Sequence, residues 1–330
     1  MARFPLTLCL LALAQVCLGT RTCSAKGQRR AWHTFSNEEK LAYIDAELCL
    51  MKKPATLGLP AAQTRFDEFQ AIHQLQAYAT HFVGGFLPFH RAMLHAHETA
   101  LRTECSYSRW QPYWQEQLDA GNFASSIVFD PVYGFGGGLD AQGCVTTGPF
   151  AHYVNHLGPG YENTDHCMDR QINETFSASS SQQDVDECLV QPDWLSAWPC
   201  IENKPHIGGH GGVGLQMLNP VSSPGDPLFY LHHTWLDKIW ADWQARDSPK
   251  RLTEMGGSNI MSAEGLAIFP PRPPYIPQPT GADGDPGTET TLTHVLNMYG
   301  NGPNRTIAEV MDIGNDILCY EYVEPGYDEY

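Results

Sequence analysis

Basic residues are what this chain is short of. Its 330 residues hold 20 Lys and Arg against 37 Asp and Glu, a formal charge of −17, with no run of Lys or Arg longer than two. A surface this acidic repels phosphate backbones and anionic lipid, so nucleic acid and membrane are excluded as partners. Long apolar runs are also missing. The single candidate, Leu6–Leu18, is too short for a bilayer span. With Arg3 ahead of it and the small residues Gly19 and Thr20 behind, it reads as a secretory signal over residues 1–20. No CxxC pair is present, which removes zinc knuckles and dithiol redox motifs, and no fixed-period repeat is present either.

What remains describes an exported protein. Of ten cysteines, Cys9 and Cys17 leave with the signal, and Cys23, Cys49, Cys105, Cys144, Cys167, Cys188, Cys200 and Cys319 stay. An even number in an oxidising compartment predicts disulfides, with the pairing left open. Sequons at Asn173 and Asn304 fit a secreted glycoprotein. Residues 107–200, rich in Gly, Ser, Asn and Asp, predict a long irregular excursion pinned by disulfides, with Asn173–Val185 its most polar and most mobile tract. Pro270–Pro286 predicts an extended strap, since only about 44 residues follow it.

Histidine carries the chemistry. In Pro205–Gln244, His206 and His210 stand four apart, so a helix projects both from one face. Asp226-Pro227 then reads as an N-cap and first helical residue, opening a helix with Phe229, His233, Leu236, Trp240 and Trp243 near one stripe. Two short helices sending imidazoles to one point make a three-histidine metal site, which suits copper, zinc, iron or nickel alike. A second triplet stands upstream. His73 lies in a helical pattern over Phe66–Tyr78, His81 follows, and His90 begins the helix opened by Pro88. His95 and His97 point elsewhere on the wheel and read as surface or supporting residues.

These spacings resemble the type-3 copper family of tyrosinases, catechol oxidases and hemocyanins. The first-site signature is carried by His73, His81 and His90 within FLPFHR, and the second by His206, His210, GLQM and DPLFYLHHTWLDKIW. Glu98, QPYW at 111–114, GCVTTGPF at 143–150, and Tyr320 with Tyr322 extend the likeness over residues 29–323, closest to short secreted fungal members. In that family the second histidine of the HH pair is the ligand, so the role passes to His233 rather than His232. The resemblance implies one mainly α domain over residues 21–330. Its central four-helix bundle, at roughly 65–80, 88–104, 205–217 and 227–245, would hold a dinuclear metal site among long disulfide-pinned loops and few short strands. A lid domain often follows the tyrosine motif in the family; this sequence stops at Tyr330, so none is expected.

The implied cofactor is a pair of copper ions, with zinc as the alternative, and the implied partners are O2 and a small aromatic substrate. A secreted phenol oxidase of catechol-oxidase type follows; a zinc-dependent non-redox enzyme and an O2 carrier are the other readings. Asp237 is the candidate orienting partner for a ligand imidazole, and Phe229 and Val221 are candidate pocket walls. Two departures bear on activity. Hydroxylating members place Asn after the first second-site histidine and Glu eight or nine residues before it; here those positions hold Ile207 and Ala197-Trp198, with Glu202 and Asn203 in another register. Ala79 replaces the cysteine that some members link to the second ligand. Diphenol or o-aminophenol oxidation is therefore expected to exceed monophenol hydroxylation.

Overall fold

A computed structural model describes residues 23–276 and 284–323. The segment predicted as a signal, the middle of the proline-rich strap and the chain end lie outside the described residues. The first helix, α1 (Asn37–Lys52), starts at Ser36, whose hydroxyl accepts from the Glu39 amide while the Glu39 carboxylate accepts from the Ser36 amide. The same reciprocal cap, Thr64 with Asp67, starts α2 (Arg65–Thr80). Gly84-Gly85 then breaks the chain before α3 (Phe86–Glu104).

Four more helices belong to the disulfide-rich excursion and the second half: α4 (Glu174–Ser177), α5 (Gln182–Leu189), α6 (Trp194–Ile201) and α7 (Ile207–Val213). A single π turn, Glu202–His206, joins α6 to α7. Pro205 inside it has no N–H to give the helix ladder, which accounts for the widened turn. The long α8 (Leu228–Ala245) is buried on every face over Leu228–Trp240, as expected of a helix at the centre of a bundle. With α2, α3 and α7 it forms the frame expected from the sequence.

Strands are few. Gly27–Arg29 (β1) pairs in parallel with Tyr320–Tyr322 near the other end of the chain, and two-residue antiparallel ladders join Val154–Asn155 to His166–Cys167 and Val295–Leu296 to Arg305–Thr306. Disulfides Cys23–Cys319, Cys49–Cys105, Cys144–Cys167 and Cys188–Cys200 use all eight cysteines among the described residues. The first closes the terminal strand pair over a sequence separation of 296 residues. The polar tract Asn173–Val185 is not the mobile element its composition implies. It folds into α4 and the start of α5 and packs on α7, where a Cβ on Gly211 would lie 2.6 Å from the Phe176 ring.

The bundle is cross-braced by one carboxylate. Asp237 on α8 accepts from Arg91 Nε on α3 (2.5 Å), Arg29 Nη1 on β1 (3.2 Å), and the hydroxyls of Tyr320 and Tyr322 (2.5 Å each). Arg29 also bonds Glu98 on α3 at 3.1 Å. Burial opposes ionisation of Asp237, but the two guanidiniums and two hydroxyls hold its pKa below the usual carboxylate range. Asp237→Ala strands buried Arg91 without a carboxylate and leaves Arg29 with Glu98 alone, so it is expected to lower unfolding free energy by about 3–5 kcal/mol in chemical denaturation. A loss below about 1 kcal/mol, the value of a surface pair, contradicts this role.

Candidate dinuclear metal centre

Helix geometry delivers the first triplet. His73 projects from the middle of α2, His81 ends it, and His90 begins the second turn of α3; their ligand nitrogens lie within 4.8 Å of one another. Each Nδ1 is held by a main-chain carbonyl: His73 by Val221 (3.0 Å), His81 by Ala77 (2.9 Å) and His90 by Phe86 (2.8 Å). A carbonyl only accepts, so each Nδ1 carries the proton and each Nε2 keeps its lone pair.

The second group, His206, His210, His232 and His233, meets the same limit. His206 Nδ1 donates to the Glu202 carbonyl at 3.0 Å and His210 Nδ1 to the Met217 carbonyl. Nε2 of His210 lies 3.1 Å from Nε2 of His233, about the span of two nitrogens each roughly 2.0–2.1 Å from one ion. The two groups adjoin: the His90 and His233 rings stack at 4.1 Å with 9° between their planes. Nε2 of His73, His90 and His206 is buried with no protein partner. Orphaned nitrogens aimed at common points are the donor set that a pair of imidazole-loving metal ions requires.

Electrostatics favour the same state. Burial lowers the pKa of His73, His90, His206, His210 and His233 below the ordinary imidazole value, with neighbouring imidazoles adding to the effect, and brings His81 to about 4. The imidazoles are therefore neutral at pH 7 and free to coordinate. His232 differs. Burial takes it to about 3, and its Nδ1 meets Glu116 Oε1 at 2.6 Å, with Ser180 Oγ on the other carboxylate oxygen at 2.9 Å. Burial also raises the pKa of Glu116, so both partners are pushed away from their charged forms. Glycine permits this packing: a Cβ on Gly209 would lie 2.2 Å from His232 Nδ1.

The groups border a cavity of about 220 Å³ lined by His81, His206 and His210 with Phe82, Ile207 and Phe269 among its mostly apolar walls. Ile207 is thus in the pocket. So is Glu202, which offset counting had set aside. Its Oε1 accepts from the Phe82 amide at 2.7 Å, its Oε2 has no partner, and burial pushes its pKa up to about 8. One turn before His206, it shares that residue's helix face, a signal the offset comparison overlooked.

Other expectations need correction. Asp237 touches no imidazole and instead braces the helices, because main-chain carbonyls do the orienting. Val221 is not a wall of the cavity; its carbonyl holds His73 and its side chain is buried in the apolar cluster that includes Ala77 and Val83. Phe229 packs beneath the histidines, 5.4 Å from His73 and 4.2 Å from His233 between ring centres, rather than forming a wall of the cavity. Glu98 accepts from Arg29 and the Gln111 amide, away from the centre. His97 is no surface residue: it stacks on Tyr230 at 3.6 Å and bonds Glu47 at 3.2 Å. Asn173 and Asn304 are exposed.

Comparison with known proteins matches this arrangement. The family model for the common central domain of tyrosinase covers residues 63–246. Tyrosinase-like protein phomQ1 of Diaporthe leptostromiformis is 31% identical over 326 residues, 91% of this chain and 78% of that protein. N-acetyl-6-hydroxytryptophan oxidase ivoB of Emericella nidulans is 28% identical over 357 residues, 91% and 93% respectively. A polyphenol oxidase structure from Thermothelomyces thermophila superposes with TM-score 0.75 and 27% identity, covering 92% of this chain and 91% of that one.

Neutral burial of the imidazoles has a pH consequence. Unfolded histidine takes up a proton near pH 6.5, whereas folded His81 resists protonation until about pH 4. Below pH 6.5 the unfolded state binds more protons, so unfolding free energy falls as pH falls. Chelator-treated protein is expected to lose about 1.4 kcal/mol per pH unit for each histidine that stays neutral, read by urea titration between about pH 6 and 4.5. A flat profile across that window would show the imidazoles to be solvated.

Proposed function

We infer from membership of the tyrosinase family, to which this chain belongs, that it is a dicopper oxidase of o-diphenols or o-aminophenols. His73, His81 and His90 would hold one ion and His206, His210 and His233 the other. Bound copper supplies O2 binding and the two-electron oxidation, in which two o-diphenols and one O2 give two o-quinones and two waters. The observation that supports this reading most is the pairing of two neutral imidazole triplets, back to back, at the border of an apolar cavity.

The chain's own part is to hold ligands and ring. Main-chain carbonyls fix the imidazole tautomers, Phe229 packs beneath both triplets, and Phe82, Ile207 and Phe269 offer apolar faces to a flat ring. His233 is preferred over His232 as the sixth ligand because its Nε2 faces that of His210 at 3.1 Å and its ring stacks on His90 of the other triplet. The relative named for oxidising N-acetyl-6-hydroxytryptophan supports a hydroxylated aromatic substrate here. Eight paired cysteines fit passage through an oxidising compartment. Secretion, with glycans on the exposed Asn173 and Asn304, completes the proposal.

Ile207 decides between phenol classes. It stands beside His206 in the cavity with no polar atom to hold a water against Glu202, so proton removal from a monophenol lacks a positioned relay. Copper-loaded enzyme is expected to oxidise 4-methylcatechol with O2 uptake of one per two catechols, and to hydroxylate tyrosine slowly. Ile207→Asn is expected to raise the monophenol-to-diphenol rate ratio at least about tenfold. Equal turnover of both substrates by the unaltered protein sinks the selectivity argument, and no O2 uptake with copper bound sinks the oxidase.

A further inference from the structure

A second, more open cavity of about 380 Å³ adjoins the first, and the two share Leu218 and Pro220 as a common ridge. Phe176, Leu215 and Leu218 line it while remaining 40%, 39% and 42% exposed. Large apolar side chains this open to water, grouped beside a site rather than scattered, mark a binding surface. The polar lining consists of carboxamides, chiefly Gln171 and Asn219, with no charged side chain, on a chain whose formal charge is −17. The Asn219 oxygen accepts from the Val221 and Ser222 amides, at 3.0 and 3.2 Å, which fixes the group and leaves its NH2 to donate.

We propose that this groove is a substrate subsite for a neutral, amide-bearing body attached to the oxidised ring, that is, a peptide-linked or N-acylated hydroxyaryl residue. The proposal rests on the reading of the first cavity as the ring-oxidising site. The ring enters that cavity, its linker crosses the Leu218–Pro220 ridge, and amide groups beyond it exchange hydrogen bonds with Gln171 and Asn219 while apolar parts cover Phe176 and Leu215. A free amino acid fits poorly. Its ammonium and carboxylate would lose water against a lining with no counter-charge, whereas an amide trades one hydrogen bond for another. Asn173 also lines the groove, so a sugar on that residue would compete for the space. Thr175→Ala removes the sequon and leaves Asn173 in place.

The test uses the full chain and its Thr175→Ala variant. Calorimetry with redox-inert N-acetyl-phenylalanine methylamide and with phenylalanine reads the groove without any oxidation. The amide is expected to bind at least about tenfold more tightly in one or both forms. Gln171→Ala and Phe176→Ala are each expected to cut that preference severalfold; Gln171, on the surface, covers the case in which loss of Phe176 disturbs α7. With copper loaded, N-acetyl-DOPA methylamide is expected to exceed DOPA about tenfold in kcat/KM. Oxidation of 4-methylcatechol with no preference for amide over zwitterion, in both forms, overturns the subsite and leaves the oxidase standing. Tight amide binding without oxidation of any catechol does the reverse.

Discussion

The structure depends on one buried carboxylate. Asp237 gathers donors from β1, α3 and the C-terminal strand onto α8, and α3 and α8 are the helices that carry His90 and His233. The stacked contact between those rings can exist only if the two helices keep their separation and rotation. Apolar packing alone is weakly directional, so it fills space without dictating register. Four charge-assisted bonds to a group buried on α8 do dictate it. Cys23–Cys319 and the β1 strand pair then secure Arg29 and both tyrosines where the carboxylate needs them.

The centre divides its work between backbone and side chain. Five of the six proposed ligands are oriented by main-chain carbonyls. Such an acceptor carries no net charge, so it fixes the tautomer without introducing an anion that would make each imidazole easier to protonate. Burial outweighs the support these carbonyls give the protonated form, and the pKa values fall accordingly. The carboxylate that meets an imidazole of the second histidine group, Glu116, serves His232, outside the proposed ligand set. Neutral ligands and apolar walls would leave a bound metal ion as the main charge in the site, which would strengthen its electrostatic hold on an anionic ligand.

The helical frame was legible because its signals are local. Thr64 with Asp67, Ser36 with Glu39, and the Gly84-Gly85 break each act within a turn. The histidines were legible because a metal needs its ligands at helical or near-helical spacing. Long-range partners were not. Arg29 and Asp237 are 208 residues apart, and His232 and Glu116 are 116 apart; no periodicity links such pairs. Carbonyl partners leave no mark in side-chain composition at all, which is why Asp237 was assigned an orienting role it does not have. Glu202 was visible but set aside by counting offsets along the chain, whereas the π turn and helix face decide which way it points. Polarity misled at Asn173–Val185, where the tract's packing against α7 outweighs its composition.

The central claim is that six neutral imidazoles hold two copper ions side by side. Anomalous diffraction from crystals of the protein purified without added metal, recorded on both sides of the copper and zinc edges, tests it most directly. The account predicts two copper peaks, one among His73, His81 and His90 and one among His206, His210 and His233. A single peak with the zinc edge would contradict it, and so would a second ion ligated by His232 in place of His233.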